Sequence, residues 1–174
     1  MAKAARRIPM TVTFLEMTAR PTALPPPQPR VKVALLKCEK PPTHFYRYLY
    51  DTIGADYYWV DRKKLSFEKL AEVIHHPLNQ LFVLYTDGNP AGMAELDLRK
   101  QNEANISYFG LMPEAIGRHL GFFFFYHSCM NAWAQPIQRL TINTCTLDHP
   151  RALPLYQRLG FTAYAREERF VELP

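Results

Sequence analysis

A glycine-containing turn holds residue types that bind a diphosphate. Gly117 gives a flexible entry, Gly121 lacks a Cβ where a ligand comes close, and Arg118 can add a charged contact to a phosphate oxygen. The first amides of a helix are unpaired and lie at its positive end, so a helix that begins at Gly117 would accept a pyrophosphate, with His119 in its first turn at an ordinary φ. The residues expected to contact this ligand are Ile116, Gly117, Arg118, His119, Leu120, Gly121 and Phe122. The alternative is a helix start of structural use alone.

Two further side chains have the chemistry of proton transfer. Glu95 lies between apolar neighbours in a strand-like run, and burial there would raise the pKa of its carboxyl toward that of a general base. A structural ion pair is the alternative for Glu95. Tyr156 faces inward on a segment whose apolar residues recur at helical spacing, and from the residues alone it is a core tyrosine.

Aromatic side chains crowd the segment from residue 44 to residue 59. They are more numerous than a small amphipathic helix needs for its core: His44, Phe45, Tyr46, Tyr48, Tyr50, Tyr57, Tyr58 and Trp59. A cleft lined by such rings could hold a cation on the ring faces or stack an apolar or aromatic amine. We expect Tyr46, Tyr58 and Trp59 to contact a substrate, while packing in the core is the alternative for each ring.

The composition is that of a globular protein with its own core. The chain has 174 residues, of which 48% are hydrophobic and 21% charged, and no apolar run approaches the length of a membrane span. Its three cysteines are far apart and show no metal-ligand spacing, so we expect no metal and a reducing, cytoplasmic compartment. Residues 8–15 are apolar but short and contain Pro9, which argues against a signal peptide.

The positive charge is concentrated at the start of the chain. Residues 1–40 hold eight Lys or Arg against two Glu, whereas the remainder holds thirteen against fourteen acidic residues. The prolines at 21, 25–27 and 29 are typical of an extended linker rather than of a nucleic-acid-binding face, so we expect no nucleic-acid partner. We predict an N-terminal strand with a proline-rich basic connection over residues 1–30 and a single domain over residues 31–174.

Hydrophobic periodicity predicts a chain that mixes strands and helices. Apolar runs predict strands at 11–17, 31–36, 81–85, 91–98, 104–111, 140–144 and 161–170. End signals predict helices between Pro42 and Gly54, from a Ser66 cap to residue 76, over 117–134 and over about 150–159. On the first helix the predicted buried face is Phe45, Tyr48, Leu49 and Thr52. Residues 81–111 should form an antiparallel meander. The strand–helix–strand order of residues 104–144 predicts that its two strands are parallel neighbours. The first strand is expected to be an added edge of the sheet.

Two segments resemble motifs of the GNAT superfamily of acetyl-CoA-dependent N-acetyltransferases. Residues 109–121 are similar to the family's coenzyme loop, and residues 149–161 follow its closing-helix pattern, N-x-x-A-x-x-x-Y-x-x-x-G-F. The loop departs from the family pattern Q/R-x-x-G-x-G/A, because Ile116 replaces the polar residue and His119 the first glycine. The closing helix has His149 in place of the asparagine. Together with the element order, the resemblance covers about residues 31–170.

The resemblance implies the GNAT fold, a central mixed and mostly antiparallel sheet of six or seven strands flanked by about four helices. It also implies acetyl-CoA as the co-substrate, bound by the loop and by Leu111, Met112 and His149. The pantetheine would lie between the strands that end near Leu111 and Thr144. Tyr156 would protonate the leaving thiolate, and the backbone N–H of Leu111 would stabilise the oxyanion.

The reaction that the resemblance implies is direct transfer of acetyl to a primary amine of a small molecule or peptide. Neither motif contains a cysteine, which argues against a covalent intermediate. The base stays open among Glu95, Glu103 and water, since Asn105 stands where the histone-modifying branch has its glutamate. The resemblance is compatible with a homodimer, and a non-catalytic acyl-CoA-binding module of the same fold is the alternative function.

Overall fold

Seven strands form one sheet, in a computed structural model that describes residues 6–173. The strands are β1 (Arg6–Met17), β2 (Val33–Cys38), β3 (Asn79–Thr86), β4 (Asn89–Asp97), β5 (Glu103–Leu111), β6 (Arg139–Cys145) and β7 (Thr162–Leu173). They lie in the order β2-β3-β4-β5-β6-β1-β7, and β5 pairs with β6 in parallel while the other neighbours are antiparallel. The predicted meander and the predicted parallel pair are confirmed.

Helices flank the sheet and close the core. Within the described residues they are α1 (Thr43–Gly54), α2 (Phe67–Ile74), α3 (Gly121–Trp133) and α4 (Ala152–Leu159). Ser66 caps α2 as predicted, because its hydroxyl accepts a hydrogen bond from the Lys69 amide at 3.3 Å. Helix α3 is apolar over most of its circumference, and Phe124, Phe125 and Cys129 have no exposed surface. The mixed α/β fold class with a mostly antiparallel sheet is confirmed.

The first strand is not an edge, which corrects the sequence prediction. Residues 12–17 of β1 pair with β6 on one side, and residues 6–16 pair with β7 on the other. Strands β6 and β7 do not pair with each other, so β1 satisfies the backbone groups of both. Its partners β6 and β7 lie far along the sequence, so no local signal indicates that β1 pairs on both sides.

The buried face of α1 is displaced by one residue from the predicted one. Tyr46, Leu49, Tyr50 and Ile53 are buried at the same helical spacing, whereas Tyr48 is 48% exposed. Aromatic residues occupy both faces of this helix, so the apolar spacing alone fits either face. The result places Tyr46 in the core.

The proline-rich connection, residues 18–32, runs from the end of β1 to the opposite edge of the sheet, where β2 lies. The hydroxyl of Tyr126 on α3 donates a hydrogen bond to the carbonyl oxygen of Ala23 at 3.3 Å. Leu24 is 87% exposed, and it lines the main cleft of the molecule together with Pro25, Pro26 and Pro27. The connection therefore crosses the face that carries α3, and β1 joins the same sheet as the rest of the chain.

Candidate functional site

A cleft of about 1220 Å³ opens where the two parallel strands separate. Residues 103–106 of β5 pair with residues 139–142 of β6, and beyond this point the strands have no mutual pairing. The separation begins at a β-bulge at Ser107. Tyr108 pairs with Glu95 and Ile106 pairs with Leu96, so Ser107 has no partner in β4. The strand ends at 107–111 and 143–145 form the walls of a wedge, in which unpaired backbone groups can bind an extended ligand.

The backbone N–H of Leu111 points into this wedge. The amide of the next residue, Met112, donates to the carbonyl of Ala91 at 2.8 Å, on the β4 side. Backbone groups of successive strand residues point to opposite sides, so the Leu111 amide faces away from β4. Leu111 therefore lies where the sequence predicts, whereas Met112 is a fully buried core residue outside the cleft.

The loop before α3 differs from its predicted conformation. The helix begins at Gly121, four residues later than expected, because Gly117 and His119 have φ values of 80° and 59°. Neither left-handed residue fits in a right-handed helix, so the prediction of an ordinary φ at His119 was wrong. Leu120, in contrast, has right-handed backbone angles. Because left-handed and right-handed residues alternate in this loop, successive backbone N–H groups point to the same side of the chain.

Free amides collect at the start of α3. The first backbone hydrogen bond of this helix runs from Phe124 to the carbonyl of Leu120 at 2.9 Å. Across residues 6–173, no acceptor meets the amides of Gly121, Phe122 or Phe123. These N–H groups and the positive end of the helix dipole are suited to bind an anion beside the cleft.

Six of the seven predicted loop residues line this cleft, and Arg118 does not. The lining residues are Ile116, Gly117, His119, Leu120, Gly121 and Phe122. The Arg118 guanidinium lies 3.7 Å from the Asp87 carboxylate at a separate small pocket, and the exposure of both side chains leaves this pair weak. Two basic residues that the sequence analysis missed, Arg151 and Arg158, line the cleft instead.

Replacing His119 by Gly is expected to raise the free energy of unfolding by about 1 kcal/mol. Glycine adopts φ near 59° without the steric cost of a Cβ, and it is the residue that the family pattern has at this place. Urea unfolding of both proteins measures the change. Arg118→Gly is the matched control, because Arg118 lies in the same loop without a positive φ and should lose stability. Equal losses in both variants would contradict the strain at His119.

Helix α4 positions Tyr156 at the cleft. The helix begins at Ala152, so Pro154 falls in its first turn, where its missing N–H costs no intrahelical bond. Gly160 ends the helix at φ 114°, as the sequence predicts for that glycine. The Tyr156 ring packs 4.7 Å from the Phe125 ring and is 5% exposed. His149, before the helix, also lines the cleft and accepts a hydrogen bond from the Arg151 amide at 3.1 Å.

The Tyr156 hydroxyl stays protonated beside the cleft. Burial, with smaller effects of Asp148 and Cys129, raises its pKa well above the ordinary value. Within the described part of the chain this hydroxyl makes no hydrogen bond. A neutral phenol without a partner can donate a hydrogen bond to a thiolate that forms in the cleft.

Glu95 does not reach the cleft, which corrects its expected placement. The side chain has no exposed surface, and Nη2 of Arg62 donates to its Oε1 at 2.6 Å. The Tyr46 hydroxyl donates to the other oxygen. The arrangement is the ion pair that the sequence left as the alternative, and the role of Glu95 as base stays a prediction.

Aromatic rings line the end of the cleft near α1. Tyr58 and Trp59 are there as predicted, and Tyr46 is not, because it lies beneath them in the core. Trp59 lies 5.3 Å from Tyr50 and 5.0 Å from Tyr108, ring centre to ring centre. Its indole occupies space that a Cβ at Gly54 would fill, so that glycine permits this position. Tyr50 and Tyr108 were missed as cleft residues, and only the paired register of β4 and β5 places Tyr108 there.

The region that forms the cleft matches a protein-family model. That model is described as the acetyltransferase (GNAT) family and covers residues 46–161. The chain belongs to the GNAT acetyltransferase family. A search of curated protein sequences returned no match.

Solved structures similar to this GNAT chain include three acetyltransferases. A GCN5-related N-acetyltransferase from Sphaerobacter thermophilus has a TM-score of 0.67 at 16% identity, over 97% of this chain and 53% of that one. One from Kribbella flavida has a TM-score of 0.63 at 16% identity, over 95% and 60%. Spermidine N-acetyltransferase from Vibrio cholerae, solved with CoA and spermine, has a TM-score of 0.62 at 17% identity, over 80% and 95%. The likeness is one of fold, and this GNAT chain spans little more than half of the first two structures.

Two features of other protein classes are absent from residues 6–173 of this GNAT chain. None of the helices there has both the length and the apolar character to cross a membrane. In the same range no three His, Cys, Asp or Glu side chains lie close enough together to hold a metal ion.

Proposed function

We propose that this GNAT protein transfers acetyl from acetyl-CoA to a primary amine by direct attack. One observation carries the proposal: the wedge between β5 and β6 has the free amides of α3 at one part of its wall and the Tyr156 phenol at another. An anion site, a slot for an extended chain and a proton donor are the three features that an acyl-CoA transferase requires.

The coenzyme would lie with its pyrophosphate on the amides of Gly121, Phe122 and Phe123. The Arg158 guanidinium lies 3.9 Å from the centre of the Phe122 ring, so a positive charge is held beside these amides. The pantetheine arm would follow the wedge and bind the unpaired backbone of β5 and β6. This pose brings the thioester carbonyl to the Leu111 N–H, where a developing oxyanion is stabilised.

The chemistry then needs three proton transfers. The amine loses a proton before attack, because an ammonium ion has no free electron pair. The nitrogen attacks the thioester carbon and the carbon–sulfur bond breaks. The thiolate takes the proton of Tyr156 as the nitrogen gives up its second proton, which restores the phenol. Glu103 is a poor base: although burial raises its pKa, Lys100 and Arg139 hold it below the ordinary value. Water in the wedge is the base that the geometry supports best, since Glu95 is enclosed.

Calorimetric titration with acetyl-CoA and a thiol-release assay over a panel of primary amines test this proposal. We expect binding at micromolar ligand, and release of CoA that depends on the amine. S-acetylpantetheine, which lacks the diphosphate, is the matched control ligand and should bind at least about tenfold more weakly. Binding without thiol release would favour the non-catalytic acyl-CoA module, and no binding at millimolar acetyl-CoA would refute both functions.

Compartment and assembly are part of the proposal. Cys38, Cys129 and Cys145 are free thiols, which supports a reducing, cytoplasmic environment. A homodimer is the assembly we expect from the family resemblance, and analytical ultracentrifugation would distinguish it from a monomer.

A further inference from the structure

Arg62 is held at the aromatic end of the cleft by a buried anchor. Its Nη2 donates to Glu95 at 2.6 Å, and its Nε donates to the Tyr46 hydroxyl at 3.2 Å. The Glu95 carboxylate has no exposed surface, whereas the Arg62 side chain is 16% exposed and lines the cleft. The anchor therefore fixes one edge of the guanidinium in the core and leaves the other edge toward the cleft.

One nitrogen of this guanidinium is free. Nη1 of Arg62 has no acceptor among residues 6–173, although a guanidinium carries five N–H donors in fixed directions. No side-chain atom of Arg62 is both buried and without a partner, so Nη1 is exposed to solvent, and Arg62 is among the residues that line the cleft. Burial lowers the pKa of Arg62, but the negative charge of Glu95 raises it further, and the net pKa lies above the ordinary value. The guanidinium therefore stays charged.

Glu95 already balances the charge of Arg62, so the free N–H donors of Nη1, and not a net positive charge, favour an anion rather than a second cation at this place. The Arg62 guanidinium carbon lies 5.3 Å from the centre of the Tyr108 ring, so the protein's own cation already occupies that ring face. Lys64 also lines this end of the cleft. The nearby Asp97 carboxylate is engaged by Arg99 at 2.6 Å and 2.9 Å. Asp61 is an exposed carboxylate at the rim, where water screens its charge.

We propose that the acceptor is a primary amine that also carries a carboxylate, and that Nη1 of Arg62 binds this carboxylate. The inference rests on the proposed acetyl transfer and names the class of its acceptor. The rings of Trp59 and Tyr108 pack the aliphatic part of such an acceptor, while the anchored guanidinium fixes the end opposite to the reacting amine. Arg62 is then a specificity-determining residue, and Glu95 and Tyr46 act through it as positioning residues.

The test compares ω-amino acids of two to six carbons with their carboxamides, and both with spermidine. Each compound is titrated into the wild-type protein saturated with CoA, and quenching of tryptophan fluorescence reports binding beside Trp59. We expect at least one amino acid to bind at least about tenfold more tightly than its carboxamide and more tightly than spermidine. Equal binding of acid and carboxamide, preference for spermidine, or no binding of any of the amino acids would overturn the inference.

Two Arg→Lys variants identify the residue responsible. Arg62→Lys keeps a charge opposite Glu95 but loses the second arm of the guanidinium, so the preference for acid over carboxamide should fall below about threefold. Arg99→Lys makes the same change at a guanidinium that does not line the cleft, and it should keep the full preference. Circular dichroism checks that both variants fold. An unchanged preference in Arg62→Lys would contradict the role of Arg62.

Thiol release, measured separately, distinguishes the two proposals. Carboxylate-dependent binding without any thiol release would refute acetyl transfer while leaving an acid-binding cleft. If thiol release is as fast with spermidine or with the carboxamides as with the amino acids, acetyl transfer is supported and the proposed recognition of a carboxylate is refuted.

Discussion

Replacing Tyr156 by Phe is expected to slow thiol release by at least about 100-fold while the Kd for acetyl-CoA changes less than about threefold. The phenol makes no hydrogen bond in the described part of the chain, so its removal leaves no partner unsatisfied. In the proposed mechanism this phenol protonates the departing thiolate, and in the variant the proton must come from water. Steady-state kinetics and calorimetric titration of the same preparation measure the two effects.

Tyr164→Phe is the matched control for this prediction. Tyr164 lies on β7 and outside the cleft, and the same loss of a hydroxyl there should leave both quantities unchanged. Because the raised pKa keeps the Tyr156 phenol protonated at neutral and mildly alkaline pH, its loss should slow the reaction equally at pH 7 and pH 9. Full activity in Tyr156→Phe would show that water or another group protonates the thiolate.

Replacing Glu95 by Gln is expected to lower the free energy of unfolding by about 3 kcal/mol. The change leaves the Arg62 guanidinium, which is largely buried, without its negative partner at 2.6 Å. The partial exposure of Arg62 keeps the expected loss at the lower end of the range for buried ion pairs. Urea unfolding followed by circular dichroism measures the difference.

Glu72→Gln is the control for the ion pair. Glu72 pairs with Lys69 at 3.0 Å on the surface of α2, and its loss should change the free energy of unfolding by less than about 0.5 kcal/mol. If Glu95→Gln keeps its stability but loses turnover, and the residual rate no longer falls at low pH, then Glu95 is the base. The enclosed geometry argues for loss of stability.

The order of strands and helices could be predicted from the sequence because its signals are local. Ser66 is a capping residue before an apolar helix, Gly160 is a helix terminator, and Asp87 and Gly88 form the turn between β3 and β4. These preferences act within a few residues, so they do not depend on the rest of the fold. The same locality explains why the predicted strand boundaries lie within three residues of the observed ones, except at the start of β1, which begins at Arg6 and not at residue 11.

The parts of the site that were missed depend on contacts distant in sequence. The apolar neighbours of Glu95 fit both a free carboxylate and a buried ion pair. Only the approach of Arg62, from another segment of the chain, decides for the ion pair. His119 gave no local indication of a positive φ, since the family glycine is absent at that place. Cleft residues such as Arg158 lie on helix faces whose exposure depends on how α4 packs against α3.

The place of β1 inside the sheet, between β6 and β7, has a consequence for how the protein is made. Residues near position 12 are synthesised long before their partners in β6 and β7, and the hydroxyl of Thr11 bonds a carboxylate 157 residues away. Contacts of such long sequence separation slow folding, because the chain must close a large loop before they form. During synthesis β1 therefore stays unpaired until β6 and β7 have emerged, and completion of the sheet waits for them.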